Sequence, residues 1–252
     1  MAGRVLFPVV LKDEGFRPPD GASTYYVLAA NGLFLERQTP LFAASVPVAG
    51  AVPGLGPHQA ALRLRFPRLP RALLERTLGF FRECYSRWQA EGIVILFYAP
   101  GAERGKRFAL RVPPQTIRGR VERGRFRADL RVEYTACARP APQFVKLGTI
   151  HSHADLGPTA STIDADDECN ETGLHIVAGY VHTAAPAFAA AFVVGRTRFA
   201  VPPALVLPPV RRLRPPPPAW LRRVTVVDET GTGGAFLGFG GRSHHGNAGA
   251  QH

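Results

Sequence analysis

The N-terminal part of the chain alternates short apolar runs with turn-forming residues, which is typical of β-strands joined by hairpins. Apolar runs within residues 25–36 flank Asn31-Gly32, and Asn-Gly between such runs is a strong hairpin signal. Residues 42–52 predict another strand, and residues 62–66 alternate apolar and polar side chains as a half-exposed strand does. We interpret residues 1–66 as a β-rich accessory module that packs on the rest of the protein or binds a partner.

Beyond the prolines at 67 and 70, the apolar positions follow a helical period. They recur at intervals of four, three, four and three residues and form one stripe: Leu74, Leu78, Phe81, Tyr85 and Trp88. This spacing predicts an amphipathic helix that begins near Arg71 and ends near residues 89–90. The continuous apolar run of residues 93–98 then predicts a buried strand.

Several later segments also have the pattern of strands. Residues 107–112 and 116–134 predict arginine-rich hairpin strands, with a turn at residues 122–124. The remaining strand candidates are residues 147–150, 174–181, 187–194 and 197–201. One long helix among many strands predicts the α/β (α+β) class, and we expect residues 67–205 to form the second and central domain.

The C-terminal part has a looser pattern. Prolines and arginines in residues 208–218 exclude a helix or a central strand there. Residues 220–227 predict a short docking strand, and we expect most of the glycine-rich residues 231–252 to be mobile. We therefore interpret residues 206–252 as a linker and tail.

Composition and charge change this picture only slightly. The 252-residue chain is 46% hydrophobic and has a net charge of +12, mostly from arginine. That charge suits an acidic partner such as nucleic acid, an anionic membrane or an acidic protein surface, but a coding bias gives the same composition. Three scattered cysteines favour a reducing compartment, and no apolar run is long enough for a signal peptide or membrane span. We expect a soluble, cytoplasmic protein.

The pattern with the most chemical content is His151-x-His153, followed by Ser161 and Asp164. The apolar residues before His151 predict a strand end, and side chains two apart on a strand point to the same side, so both imidazoles can bind one ion. After a glycine-proline turn, Ser161 is a favourable helix N-cap, and Asp164 lies on the first turn, facing back toward the strand end. Two imidazoles and one carboxylate suit Zn²⁺ and leave a fourth position for water. We predict one zinc ion per chain.

This spacing resembles the JAMM (MPN-plus) metalloprotease signature, His-x-His-x7-Ser-x-x-Asp, with every position filled. The resemblance implies a mixed β-sheet flanked by helices and a zinc-dependent peptidase or isopeptidase activity. It also implies a general base, a glutamate at the start of the strand after the first helix. Glu91 occupies that place because it precedes the apolar run of residues 93–98. Glu83, inside the predicted helix, and Glu103, in a loop, are weaker candidates.

The resemblance gives each of these residues a role. His151, His153 and Asp164 hold the zinc ion, which activates a water molecule at neutral pH. Glu91 takes a proton from that water and passes it to the leaving amine. Ser161 donates its hydroxyl to the oxyanion, a contribution of about 3 kcal/mol where such donors have been removed from enzymes.

Two other histidines, His175 and His182, are not included among the ligands. A histidine on a strand is more often a packed or surface polar residue than a metal ligand.

The layout of residues 20–205 resembles the JAMM proteins of bacterial ubiquitin-like conjugation operons. Shared features are a β-hairpin module, a long helix, a Glu-Gly strand and the run Leu147-Gly148-x-x-His151-Ser152-His153. The resemblance implies a ubiquitin-like protein substrate or conjugate that is cut after its C-terminal glycine. It also implies E1-like and E2-like operon partners and a role in antiphage defence. In this class the substrate tail lies extended beside a strand. No membrane partner is expected.

Three other functions are consistent with parts of the sequence. A JAMM peptidase that trims a sulfur-carrier protein has the same metal spacing. RadC-type proteins, which are associated with nucleic acid, share that spacing too, but their His-Asn-His-Pro-Ser-Gly run is absent here, where Ala154-Asp155 follows His153. A catalytically dead MPN scaffold typically lacks one or more ligands, whereas all of them are present in this chain.

Overall fold

The computed structural model describes residues 7–49, 58–159, 168–230 and 235–236 of the chain. In this part the protein is a strand-rich mixed α/β structure with open sheets of mixed strand direction. The expected class is therefore confirmed at this coarse level. No helix in these ranges is both long enough and apolar enough to cross a membrane.

Within the described ranges, the strands form three sheets of five, six and four strands. The first sheet has the order β1-β2-β3-β4-β5, the second β13-β12-β11-β10-β6-β7, and the third β15-β14-β8-β9. Their bounds are β1 Val9–Leu11, β2 Thr24–Ala29, β3 Gly32–Gln38, β4 Phe42–Ala49, β5 Ala61–Leu64, β6 Ile93–Tyr98, β7 Phe108–Arg111, β8 Gln115–Glu122, β9 Arg125–Tyr134, β10 Val145–Ser152, β11 Gly173–Gly179, β12 Ala187–Val194, β13 Thr197–Ala200, β14 Val224–Asp228 and β15 Ala235–Phe236.

The N-terminal sheet contains the hairpin that the Asn-Gly pair predicts. β2 and β3 pair antiparallel, with Ala29 opposite Gly32, so this prediction is confirmed. The sheet packs on the six-stranded sheet, since the rings of Phe42 and Phe192 lie 4.7 Å apart between centroids. Buried residues of β4 therefore belong to the same hydrophobic core as the central sheet.

The long helix, α1, spans Arg71–Trp88, as the apolar stripe predicts. Leu74 and Phe81 are fully buried on its core face, and Phe80 beside them is buried too. The helix ends at Gln89, which has a left-handed conformation and whose N–H donates to the Tyr85 carbonyl at 2.7 Å. Because the helix ends in this left-handed turn, only four residues separate α1 from the start of β6.

The six-stranded sheet carries the candidate chemistry in its centre. β10 pairs parallel with β11 and antiparallel with β6, so it has neighbours on both sides. Gly148 allows β10 and β11 to approach closely, because a Cβ at that position would lie 1.8 Å from the Leu174 carbonyl oxygen. The strands predicted at residues 93–98, 147–150, 174–181, 187–194 and 197–201 are all confirmed.

The hairpin predicted at residues 116–134, with its turn at residues 122–124, is confirmed by the antiparallel pair of β8 and β9. The strand predicted at residues 107–112 is β7, which pairs antiparallel with β6, and Pro113 and Pro114 then direct the chain to the third sheet.

One prediction about the C-terminal part needs correction. Residues 220–227 are not one strand: Pro218–Leu221 is a short helical turn, which a proline at its first position favours, and β14 begins at Val224. β14 pairs with β8, so residues beyond 205 complete the third sheet.

Residues 208–217 of the proline-arginine segment have neither helix nor strand, as expected, and Pro218 begins the helical turn. It lies along α1, where the backbone N–H groups of Arg211 and Arg212 donate to the buried Glu75 carboxylate. Of the glycine-rich tail, for which mobility is predicted, residues 235–236 form β15, and residues 231–234 and 237–252 lie outside the described ranges.

Candidate metal centre

The two histidines of the motif converge at the end of β10. His151 is the second-last residue of this strand, and His153 follows the strand and is only 8% exposed. Their Nε2 atoms lie 3.2 Å apart, and their ring centroids 5.1 Å apart. Residues two apart thus present the same ring nitrogen to one point, as the strand geometry predicts.

A hydrogen bond sets the protonation of the His153 ring. Its Nδ1 lies 3.2 Å from the Gly157 carbonyl oxygen, which can only accept, so Nδ1 carries the proton. In a neutral imidazole the other nitrogen, Nε2, then carries the lone pair that can bind an ion. Metal-binding histidines commonly have this arrangement, with a backbone carbonyl fixing the ring and the tautomer. The Nε2 atom of His153 is therefore prepared to act as a ligand.

The separation of the two nitrogens fits a tetrahedral ion. With Zn–N distances of about 2.0–2.1 Å and a tetrahedral angle, two ligand nitrogens lie about 3.3 Å apart. The Nε2 atoms of His151 and His153 meet this requirement without any movement of the strand end.

The other two signature residues, Ser161 and Asp164, lie outside the described residues. Their roles as hydroxyl donor and third ligand remain predictions. Within the described ranges, no group of three or more histidine, cysteine, aspartate and glutamate side chains forms a possible metal site. The histidine pair is thus the part of the predicted ligand set that the structure displays.

Strand register brings Glu91 to the same end of the sheet as the histidine pair. In the antiparallel pair of β6 and β10, Ile93 lies opposite His151. The pairing continues one residue further, because the Ser152 N–H donates to the Gly92 carbonyl at 3.0 Å and the Gly92 N–H donates to Ser152 Oγ at 3.0 Å. One residue beyond these bonds, the same register would set Glu91 opposite His153. The predicted base, which is partly buried, therefore comes to the same end of the sheet as the histidines.

The two weaker glutamate candidates form ion pairs elsewhere. Glu83 pairs with Arg87 one turn along α1, at 2.9 Å. Glu103 pairs with Lys106 at 3.0 Å in an exposed loop that follows the other end of β6 from His151. Of the three glutamates, Glu91 is the one that the fold brings to the histidine pair.

The glycine after Glu91 lies in a tightly packed place. A Cβ at Gly92 would lie 3.2–3.3 Å from side-chain atoms of Phe80, Phe81 and Cys84 on α1. The end of the helix and the start of β6 are therefore in close contact.

The two histidines left out of the ligand set have other contacts. His175 is 1% exposed, and its Nε2 donates to the Glu171 carbonyl at 3.0 Å, so Nδ1 accepts from the Thr149 hydroxyl at 3.0 Å. Both nitrogens are engaged, as in a packed strand histidine. His182 is exposed, and its ring lies 5.5 Å from the Tyr85 ring.

Two residues in the loops that follow β10 and β11 have a strained conformation. They are Ala154 and Tyr180, whose φ angles are positive, at 49° and 52°, which non-glycine residues adopt at a cost. Two backbone hydrogen bonds fix them, from the Val181 N–H to the Ala154 carbonyl and from the Tyr180 N–H to the Leu156 carbonyl. Leu156 and Tyr180 stay exposed beside the histidine pair. Such strain is often found where a loop must hold functional groups in one arrangement.

A tyrosine of α1 reaches the same loop. The Tyr85 hydroxyl lies 3.5 Å from an Asp155 carboxylate oxygen. Burial raises the pKa of Tyr85, and the neighbouring Asp155 charge raises this pKa further. The phenol therefore stays protonated at neutral pH and can donate to the carboxylate.

Neither Ser152 nor Gln115 was predicted from the sequence to have a role in this region. Ser152 lies between the two histidines, so strand alternation places its side chain on the opposite face from theirs. Gln115 has no local signal, because its contacts depend on which residues of distant strands lie opposite each other.

No model of a known protein family matches this chain, and no curated protein is significantly similar to it. The interpretation of the site therefore depends on its residues and their geometry.

Proposed function

We propose that this protein is a zinc-dependent peptidase or isopeptidase with a JAMM-like mixed sheet. The observation that supports this most directly is the 3.2 Å separation of the His151 and His153 Nε2 atoms. Glu91 precedes β6, whose first residue, Ile93, lies opposite His151. The order of these residues along the chain, followed by Ser161 and Asp164, is that of the JAMM signature.

In this proposal His151, His153 and Asp164 would hold the ion. When bound, zinc acts as a Lewis acid that activates water for attack on a carbonyl carbon. The Nδ1–H of His153 keeps its hydrogen bond to the Gly157 carbonyl throughout the reaction. This bond orients the ring as a ligand, and His153 takes no part in proton transfer.

Glu91 would move the proton. Its carboxylate accepts a proton from the attacking water and delivers it to the nitrogen of the leaving amine, which departs only when protonated. The partly buried position of Glu91, two residues before the partner of His151 in β6, suits this role. Ser161 would donate a hydrogen bond to the carbonyl oxygen as negative charge develops on it.

We propose a ubiquitin-like protein as the substrate, cut after its C-terminal glycine. Support comes from the layout of the chain, with a β-rich N-terminal sheet, α1, the Glu-Gly entry to β6 and the histidine pair in succession. A bacterial ubiquitin-like conjugation system with E1-like and E2-like partners would supply such a conjugate, and antiphage defence is one setting for it.

The charge distribution does not favour the nucleic-acid alternative on the β8–β9 face. Arg118 pairs with Glu133 at 3.2 Å and with Glu229 at 3.0 Å, and Arg127 pairs with Glu122 at 3.4 Å. These ion pairs reduce the positive potential that phosphate binding needs.

A hydrolysis assay with two substrates tests the proposal. One substrate is a ubiquitin-like domain ending in Gly-Gly and joined to a lysine side chain; the other carries a peptide extension after the same glycines. We expect cleavage after the last glycine, and the preferred substrate distinguishes deconjugation from the maturation of a carrier protein. Glu91→Gln should lower the rate by about 10²–10⁴-fold and retain zinc. The matched control Glu83→Gln should keep full activity. Full activity of Glu91→Gln would show that another group is the base.

A further inference from the structure

On the β7 side of β6, regular strand pairing covers residues 95–98 only and does not extend to the residues next to the candidate base. β7 pairs with β6 from Tyr98 back to Ile95, which lies opposite Arg111. In the same register Pro113 would lie opposite Ile93. Proline has no N–H to donate, so a backbone pair cannot form there in full.

A buried side chain replaces this missing pair. The Ile93 N–H donates to Gln115 Oε1 at 3.0 Å, and Gln115 Nε2 donates to the Ile93 carbonyl at 3.1 Å. One amide group thus satisfies both polar groups of Ile93, as a neighbouring strand would. Gln115 is 2% exposed, and its own backbone N–H donates to the Arg223 carbonyl at 2.9 Å, which ties it to the third sheet.

On the other side of β6, a second buried side chain contacts the preceding residue. Ser152 is fully buried, and its Oγ accepts from the Gly92 N–H at 3.0 Å. The backbone N–H of Ser152 donates in turn to the Gly92 carbonyl at 3.0 Å. Gly92 is therefore held from β10, while Ile93 is held from the third sheet.

We propose that Gln115 and Ser152 are positioning residues that fix Glu91 at the end of the sheet that carries the histidine pair. They act on the two residues that follow Glu91 in the chain, and they hold this backbone from opposite sides. The inference rests on the proposed function, since it gives these two residues a role in the rate of that reaction. It goes beyond the signature, which assigns no role to either residue.

The energetics support a positioning role. Both side chains lie in a water-excluded environment, where a hydrogen bond is electrostatically stronger than in water. If either side chain is removed, a buried N–H of residue 92 or 93 loses its partner. The backbone then shifts or admits water, and a displacement of about 1 Å at a catalytic group can lower a rate by about 10²-fold.

Each of the two contacts can be tested with one variant and with the backbone amide that loses its hydrogen-bond partner in that variant. Ser152→Ala removes the acceptor of the Gly92 amide, and Gln115→Met keeps the length of the side chain but removes both bonds to Ile93. Ser45→Ala is the matched control, because Ser45 is a buried serine of the N-terminal sheet that contacts His58 at 2.6 Å. Hydrogen exchange measured by NMR reports on the Gly92 and Ile93 amides without substrate.

We expect amide exchange to accelerate about tenfold at Gly92 in Ser152→Ala and at Ile93 in Gln115→Met, the effect of losing one hydrogen bond. Zinc content should stay at the wild-type level in both variants. On the lysine-linked ubiquitin-like substrate, kcat should fall by about 10–100-fold with KM changed less than about twofold. Ser45→Ala should match the wild type in all three measurements.

Three results would overturn the positioning role. Unchanged exchange at both amides would show that the side chains do not hold this backbone. Accelerated exchange with wild-type kcat would make the contacts purely structural. Loss of zinc in either variant would show that the side chain acts on the ligands and not on Glu91.

A separate outcome concerns the proposed function itself. If the wild type binds zinc but cleaves neither substrate, the proposed function fails and the catalytic role of the two residues fails with it. The exchange data would still decide whether the two contacts hold the backbone.

Discussion

Arg214 Nε donates to Oε2 of Glu75 at 2.9 Å, which joins the proline-arginine segment to the buried side of α1. The Arg214 N–H also donates to the Glu75 carbonyl at 3.1 Å. The same segment crosses α1 at Gly79, where a Cβ would lie 1.9 Å from the Arg214 carbonyl oxygen. The segment thus packs against α1 through these contacts, and the chain continues from it toward β14.

We predict that Glu75→Gln lowers the melting temperature by several degrees, because the arginine and two backbone N–H groups lose a charged acceptor. The bond from Arg214 is the main reason that the pKa of Glu75 is lowered. A lowered carboxyl pKa adds stability above the ordinary pKa of glutamate, and this stability is lost as the pH falls through the lower, folded-state pKa. The difference in melting temperature between wild type and variant should therefore shrink at acidic pH.

Thermal unfolding followed by circular dichroism between about pH 7 and pH 3 measures this effect, over the range in which glutamates titrate. Glu83→Gln is the matched control, since Glu83 forms an exposed pair with Arg87 on the same helix. A constant difference across the whole pH range would contradict the role of the Glu75 charge.

Cys84 on α1 should be inert to alkylation in the folded protein. It is fully buried, and this burial raises the pKa of its thiol, so the reactive thiolate is suppressed. Cys137 and Cys169 are partly exposed, and we expect iodoacetamide to modify them first. Mass spectrometry of peptides before and after denaturation tests the order. Labelling of Cys84 at the same rate as Cys137 under native conditions would mean that α1 does not pack as described.

Gly92→Ala should affect both stability and activity. The new methyl group would press on Phe80 and Phe81, and overpacking of this kind costs about 1–3 kcal/mol. We expect a lower melting temperature and a lower kcat, since the residue before it is the proposed base. Gly101→Ala serves as the control, because nothing lies within 4 Å of a Cβ at that position. Equal melting temperatures and rates for the two variants would refute the packing constraint.

Local periodicity predicted the elements of this fold well, because they depend on residues close in sequence. The apolar stripe of α1 and the Asn31-Gly32 hairpin are of this kind. The spacing of His151 and His153 predicted convergence for the same reason, since two residues on a strand share a side. Register was harder to predict. The place of Glu91 at the histidine end of the sheet depends on how β6 and β10 align, and a shift by one residue would move its side chain to the other face.

Contacts between distant segments left no local signal. Glu75 interrupts an otherwise apolar helix face, but its partners lie more than 130 residues away, so the pattern alone does not identify them. Gln115 is similar, because its role follows from the position of Pro113 opposite Ile93. The predicted strand at residues 220–227 was wrong at its start, since the prolines before Trp220 favour a helical turn.

The zinc content of the purified protein, measured by elemental analysis, tests the central claim most directly. We predict one zinc ion per wild-type chain, and loss of zinc in His153→Ala and in Asp164→Ala. His182→Ala, which alters an exposed histidine, should keep the metal. Circular dichroism should show that each variant is folded. Absence of zinc from the wild type after zinc is supplied, or its retention in His153→Ala, would contradict the proposed metal centre and the hydrolase function with it.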